Sequence, residues 1–190
     1  VGNIGIEGIS YDARNGSYVA VKQDDPAKLS IYNTLSFSSA AAADAVPSVE
    51  FVGASSNSSL FGLDSLSDVQ TLGGVDALVG TSAADNLLVL SLDSRRLIEI
   101  TRAGVILSSF DLSTVLPHNA IEGVTIDEQG TIYLVAEQIQ DGTATSANPA
   151  SQLIVLSSTS AVPEPETCAL ALMGLGIVGG AARRQARRRG

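Results

Sequence analysis

The chain has little of what most enzyme active sites and disulfide-linked domains are built from. It contains no Trp, one Cys and one His in 190 residues, and aromatic residues make up 4% of it. The single cysteine, Cys168, excludes an intrachain disulfide. The single histidine, His118, has no Gly-x-Ser-x-Gly turn to accompany it, so a Ser-His-Asp triad is disfavoured. Dinucleotide-binding fingerprints, Walker loops and Cys/His zinc spacings are also missing.

Positive charge is scarce outside the C-terminal end. Five of the eleven basic residues occupy the last eight positions, which leaves six basic and eighteen acidic residues in positions 1–161. A body this acidic repels phosphate backbones, and we therefore expect no nucleic-acid partner. The excess of carboxylates is compatible with binding of divalent cations, although solubility alone also accounts for it.

What the chain does contain is a short pattern that occurs twice. Residues 6–12 read Ile-Glu-Gly-Ile-Ser-Tyr-Asp and residues 121–127 read Ile-Glu-Gly-Val-Thr-Ile-Asp. A Gly-containing turn and a second apolar segment follow each copy, so each predicts a β-hairpin. A hairpin repeated at long spacing indicates a fold built from repeated sheets.

Strand signals and tight turns continue to residue 157 without helical periodicity. Residues 36–58 are rich in Ser and Ala and predict a long loop or a weak outer strand, whereas residues 59–80 form a polar stretch punctuated by Gly. Further strands are predicted over residues 29–32, 86–91, 96–100, 105–110, 131–136 and 153–156.

Groups of short antiparallel strands predict an all-β fold, namely a partial β-propeller of about three four-stranded blades over residues 1–160. A β-sandwich is the alternative, but it does not predict the copied hairpin. Propellers close with about 4–8 blades, and an open half exposes strand edges. We therefore expect residues 1–160 to be an N-terminally truncated part of a larger propeller.

The repeated glutamates are the strongest candidates for a functional site. Glu7 and Glu122 hold equivalent places in the two hairpins, and acidic residues on the inner strands of several blades can converge on one channel. With Asp68 as a counterpart from the middle unit, they predict a Ca²⁺ site, because this ion takes 6–8 oxygen ligands. The alternative is structural: each Glu pairs with a backbone amide or a basic residue and fixes the innermost strand.

A second set of candidates is basic. Lys22, Arg95 and Arg96 follow or flank strand ends and predict a pocket for an anionic ligand, with solvated turn residues as the alternative. Asp12 and Asp127 precede tight turns, where Asp commonly accepts hydrogen bonds from nearby backbone amides.

The C-terminal segment, residues 161–190, has three parts in order. Residues 167–182 carry no charge and predict a short transmembrane helix. Two prolines one residue apart keep the preceding segment extended; this motif is Val162, Pro163, Glu164, Pro165 and Glu166. A basic cluster follows the apolar run and predicts a cytoplasmic end under the positive-inside rule; its members are Arg183, Arg184, Arg187, Arg188 and Arg189.

This tail resembles the PEP-CTERM sorting signal of Gram-negative bacteria in its Pro-Glu-Pro motif, its apolar run and its basic end. The resemblance implies an exosortase partner and export across the inner membrane. It also implies a precursor anchored in that membrane through residues 167–182, and a final location at the cell surface or outside the cell.

The body is similar to the SdiA-regulated propeller family. The similarity rests on the Glu-Gly hairpins at residues 6–12 and 121–137, the turn at residues 21–26, and the strand with a Ser-Arg-rich turn at residues 87–96. Gln23 departs from the Glu that the family pattern favours. The resemblance implies a propeller fold more firmly than a function.

Together these features predict an exported, non-catalytic binding protein of the cell surface or extracellular matrix. An exopolysaccharide or a surface protein is the expected ligand. The alternative is a Ca²⁺-dependent hydrolase that resembles propeller lactonases or phytase-like esterases, with Glu7 and Glu122 as metal ligands.

Overall fold

The computed structural model of the protein describes residues 5–33, 35, 46–54, 59–137 and 150–157. These residues belong to one compact unit and form strands in three antiparallel sheets, with two short 3-10 helices at Asp76–Leu78 and Ser82–Asp85. The all-β prediction is confirmed. None of the helices in the described ranges is long and apolar enough to cross a membrane, and the helix predicted over residues 167–182 lies outside those ranges.

Each described strand pairs with its neighbour in the sequence, so every sheet is a meander. Sheet 1 contains β1 Ile6–Asp12, β2 Ser17–Lys22, β3 Lys28–Tyr32 and β4 Val49–Val52. Sheet 2 contains β5 Asp68–Thr71, β6 Leu87–Ser91, β7 Arg96–Ile100 and β8 Ile106–Asp111. Sheet 3 contains β9 Ala120–Ile126, β10 Ile132–Glu137 and β11 Gln152–Leu156.

The first strands of the three sheets, β1, β5 and β9, are the inner strands, and they contact one another from sheet to sheet. The hairpins β1–β2 and β9–β10 confirm the two predicted copies, and β4 confirms the weak outer strand within residues 36–58. Strand β5 lies in the polar stretch that gave no strand signal. It forms because Val69 and Thr71 are buried between sheets 1 and 2 although their neighbours are polar.

Sheet 2 is packed between sheets 1 and 3. We call the face of a sheet toward the next sheet in chain order its forward face, and the opposite face its backward face. The forward face of sheet 1 packs on the backward face of sheet 2 through Val19, Val21, Leu29, Ile31, Val69, Leu87, Val89, Ile98 and Ile100. The forward face of sheet 2 packs on sheet 3 through Leu88, Leu90, Leu97, Ile121, Val124, Leu134 and Ala136.

A buried carboxylate joins sheet 1 to sheet 2. Asp12 ends β1 with its side chain inaccessible to solvent, and its Oδ2 accepts hydrogen bonds from Arg14 Nη2 at 2.7 Å and Arg102 Nη2 at 2.9 Å. Burial alone would raise the pKa of Asp12, but the hydrogen bonds from Arg14 and the charges of Arg14 and Arg102 outweigh it and lower the pKa. Because Arg102 lies in the β7–β8 turn, this ion pair holds the two sheets together.

Candidate functional site

The repeated glutamates are both bulge residues. In the β1–β2 ladder the pairing passes from Ile6↔Lys22 to Gly8↔Val21, which leaves Glu7 as the extra residue. In the β9–β10 ladder it passes from Ile121↔Ala136 to Gly123↔Val135, which leaves Glu122 as the extra residue. A bulge releases a side chain from the strict alternation of a strand and commonly re-aims it beside a functional site.

The close approach of a neighbouring strand explains why the first copy of the pattern has a glycine at position 8. A Cβ at Gly8 would lie 2.8 Å from the Cα of Asp68 and 3.1 Å from the backbone nitrogen of Val69, so β5 passes directly against β1 at this point. At Gly123 the nearest atom to an added Cβ is the Cβ of Val135 at 3.6 Å, which is an ordinary contact. The close approach of β5 therefore requires a glycine at position 8, in the first copy of the pattern.

Asp68 lies among the three inner strands. Its Oδ1 accepts a hydrogen bond from the backbone N–H of Val69 and its Oδ2 accepts one from the backbone N–H of Val124, each at 2.8 Å. Burial raises the pKa of Asp68, and the two backbone hydrogen bonds offset this only in part. The carboxylate that was predicted as a third metal ligand thus connects β5 to β9.

Three other carboxylates act on the pKa of Glu122 at the second bulge. Burial raises the pKa of Glu122, and the negative charges of Glu137, Glu7 and Asp93 raise it further. The charge of Glu7 in sheet 1 thus contributes to the raised pKa of Glu122 in sheet 3. Across the described ranges, no group of three or more His, Cys, Asp or Glu side chains is arranged to hold a metal ion.

The three basic candidates have different environments. The Nζ of Lys22 donates to the backbone oxygen of Asp25 at 2.7 Å, within its own turn. The Nη1 of Arg95 donates to the backbone oxygens of Leu116 and Asn119, so it fixes the loop before β9. Arg96 is exposed at the start of β7, which leaves its guanidinium accessible to a ligand.

The two turn aspartates bond locally, as the sequence predicted. The Oδ1 of Asp12 accepts a hydrogen bond from the backbone N–H of Arg14 at 3.1 Å, and the Oδ1 of Asp127 accepts one from that of Thr131 at 2.8 Å. Asp127 also accepts a hydrogen bond from the hydroxyl of Tyr133 at 2.9 Å. The contribution of Arg102 to Asp12 was missed, because 90 residues separate them and no local pattern connects them.

Residues 1–138, from before β1 to the end of β10, match the SdiA-regulated family. The chain belongs to the SdiA-regulated family. Both Ile-Glu-Gly hairpins and the Asp68 contact lie within the part that matches. Among curated proteins, no match to this SdiA-regulated chain was found.

The tail of this SdiA-regulated protein matches a second family. Residues 161–189 match the PEP-CTERM protein-sorting motif, which confirms the sorting signal predicted from the Pro-Glu-Pro motif, the apolar run and the basic end. The motif supports export to the cell envelope or surface through an exosortase. The tail lies outside the described residues.

Proposed function

We propose that this chain is an exported β-propeller protein of the cell surface or extracellular matrix that binds a ligand without catalysis. The observation that carries the proposal is the order of two matches along one chain, an SdiA-regulated body followed by a PEP-CTERM sorting motif. The side-by-side inner strands of three antiparallel meanders support a propeller, because propeller blades are antiparallel sheets arranged around a central channel.

The tail acts in export. The apolar run of residues 167–182 anchors the precursor in the inner membrane, with the arginine cluster on the cytoplasmic side. The exosortase then processes the chain near the motif at residues 162–166, and the body reaches the surface. The negative body charge is compatible with this topology, since a domain of this length is translocated largely regardless of its charge.

A double substitution of the motif tests the sorting step. We expect Pro163→Ala with Pro165→Ala to abolish the shorter, surface-exposed form and to leave full-length protein in the membrane fraction of an exosortase-positive host. Protease treatment of intact cells, followed by immunoblotting, measures both forms. Pro117→Ala changes an exposed proline of the body and is the matched control. Equal surface exposure of both variants would contradict the role of the motif.

The ligand is an exopolysaccharide bound at the bulge end of the inner strands. Carboxylates only accept hydrogen bonds, so Glu7 and Glu122 suit the hydroxyl donors of a neutral sugar and disfavour an anionic polymer. Arg96 and Lys22 supply further polar groups on the body. A surface protein is the other partner that such an exposed polar end accommodates.

The convergence of carboxylates on Glu122 favours one alternative, a Ca²⁺-dependent hydrolase. In that case Glu7 and Glu122 are ligands of the ion, with Asp68 joining them only if it exchanges a backbone hydrogen bond for the cation. Ca²⁺ takes carboxylate and carbonyl oxygens in flexible geometry. Bound there, it would supply charge stabilisation for ester, lactone or phosphate hydrolysis.

One pair of variants separates binding from hydrolysis. We expect Glu7→Gln with Glu122→Gln to weaken binding to immobilised neutral glucans by at least about tenfold, because hydrogen bonds to charged groups are worth roughly 1.5–3 kcal/mol each. Glu128→Gln, an exposed acidic residue in the β9–β10 turn, is the control. Ca²⁺-dependent turnover of a lactone, ester or phosphoester that is lost in both single variants would instead establish the hydrolase.

A further inference from the structure

Two backbone amides on the inner strands of different sheets donate to one side chain. The N–H of Val69 in β5 donates to Oδ1 of Asp68, and the N–H of Val124 in β9 donates to Oδ2, each at 2.8 Å. An inner strand has a ladder partner on one side only, so N–H groups on its other edge need acceptors from elsewhere. Asp68 supplies both acceptors and so connects sheet 2 to sheet 3.

The two repeated glycines leave the space that this carboxylate occupies. A Cβ added at Gly8 would overlap Oδ1 of Asp68, and a Cβ added at Gly123 would lie 3.8 Å from Oδ2. At Gly8 the backbones of β1 and β5 are in direct contact, because the same Cβ would lie 2.8 Å from the Cα of Asp68. Between β5 and β9, by contrast, a titratable group makes the connection.

Only the ionised form of this side chain offers a full acceptor to each amide. A carboxylate has two acceptor oxygens, whereas a protonated carboxyl has one carbonyl oxygen and one hydroxyl donor. Val69 is the residue next to Asp68, so the carbonyl oxygen can remain with its N–H. The hydroxyl then faces the N–H of Val124, which is a donor facing a donor.

We propose that Asp68 is a proton-controlled link between the inner strands β5 and β9. The ionised carboxylate holds Val124 of sheet 3, and binding of one proton from solvent turns the accepting oxygen into a hydroxyl and releases Val124. The side chain of Asp68 is half-buried rather than sealed, so solvent protons reach it.

The released amide lies beside the bulge of β9. Val124 follows Glu122 by two residues, and the ladder with β10 skips Glu122 and resumes at Gly123. Loss of the bond from Asp68 therefore loosens the backbone that carries Glu122. Since Glu122 belongs to the proposed ligand site, the link makes that site sensitive to acid, a consequence that rests on the proposed function.

The charged groups around Asp68 do not replace the amides as its partners. Among the strands packed on β5, β1 carries Glu7 and Asp12, β2 carries Lys22, β9 carries Glu122, and β6 carries no charged residue. The pKa of Asp68 is raised by burial and lowered less by the two amide hydrogen bonds. The shift therefore follows from the position of Asp68 between the strands.

Protonation of Asp68 does not oppose folding. Because its pKa is raised in the folded state, its contribution to stability is complete below the ordinary value of 3.8 and is lost as the pH rises through the folded value. The pKa of Asp12 is lowered instead, so the ion pairs between sheets 1 and 2 persist where Asp68 titrates. Mild acid thus releases one link and leaves the other.

Amide NMR of the uniformly ¹⁵N-labelled full chain in mild detergent tests the link directly. We expect the amide signals of Val69 and Val124 to shift together as the pH falls, with a shared midpoint above 3.8. Below that midpoint, ¹⁵N relaxation should show increased motion of residues 122–124. Residues 7–9 are the internal control, because they have the same pattern but meet β5 through backbone contact at Gly8.

Asp68→Asn separates this carboxyl from that of Glu122, which keeps its own titration. Asn offers one acceptor oxygen, so the shared titration should disappear, and residues 122–124 should show at neutral pH the motion that the parent chain shows in acid. Asp76→Asn, an exposed change in the first 3-10 helix, should leave the titration of Val124 unchanged.

Three results in the parent chain would overturn the proposal. They are a Val124 amide that does not titrate with Val69, a shared midpoint at or below 3.8, and equal loosening of residues 7–9 and 122–124 in acid. The glucan assay at neutral pH is a separate measurement. Titration of Val124 in a chain that binds no glucan would overturn the proposed ligand and leave the link standing.

Discussion

At the scale of single residues, two aspartates that connect neighbouring sheets have opposite electrostatics. Asp12 is bound by two guanidinium groups, which lower its pKa despite burial. Asp68 is bound by two backbone amides alone, and burial raises its pKa. The difference follows from charge, because a backbone N–H carries only a partial charge and compensates less for lost hydration.

Asp12→Asn should destabilise the protein by about 2–3 kcal/mol near pH 7, because it leaves Arg14 and Arg102 without their shared carboxylate. Since the pKa of Asp12 is lower when folded, this contribution is complete above the ordinary pKa of Asp. It is lost as the pH falls through the folded value. Urea denaturation should therefore show that the difference in free energy of unfolding between the parent chain and Asp12→Asn is smaller at acidic pH than at neutral pH.

The control for that measurement is Asp76→Asn, which changes an exposed aspartate in the first 3-10 helix. Its free energy of unfolding should stay within about 0.5 kcal/mol of the parent, as is usual for surface substitutions. An Asp12→Asn difference that persists unchanged at low pH would contradict the ion-pair explanation.

At the scale of strands, the sequence predicted those strands that a local residue pattern specifies. It missed the strand that depends on packing against residues far away in the chain. The hairpins at residues 6–12 and 121–127 carry alternating apolar residues and turn glycines, so their strands were predictable. Strand β5 was not, since Val69 is its single strongly apolar residue. The burial of Val69 and Thr71 comes from packing against sheet 1, about 60 residues earlier in the chain, and sequence periodicity carries no record of that contact.

The same strands give a matched prediction on the repeated glycines. Gly8→Ala should destabilise the protein by about 2–4 kcal/mol, because its Cβ meets the backbone of β5 and backbone cannot move aside without loss of packing. Gly123→Ala should cost less than about 1 kcal/mol, because its added Cβ makes only ordinary contacts. Chemical denaturation of the parent chain and of both variants measures the loss in free energy of unfolding at each glycine. Equal losses at the two glycines would contradict the close approach of β5 to β1.

At the scale of the whole molecule, fold class and destination were predictable and the arrangement of surfaces was not. The acidic body, the strand-rich pattern and the tail of residues 161–190 indicated an exported all-β protein from composition and motif alone. The exposure of apolar residues on sheets 1 and 3 was not predictable from the sequence, because Ile6 and Ile121 are the same residue type in the same pattern. One is buried and the other exposed only because of which sheet lies beside it.

The bulge in the Ile-Glu-Gly pattern separates two tasks within three consecutive positions. The isoleucine packs at a sheet junction in the second copy, where Ile121 is buried, and the glycine admits β5 in the first copy, at Gly8. The glutamate between them is the residue that neither ladder pairs. Stability and recognition are therefore assigned to different side chains. Positions 7 and 122 can accept new residue types with little effect on the cores, which makes them natural places to vary or to redesign what the protein binds.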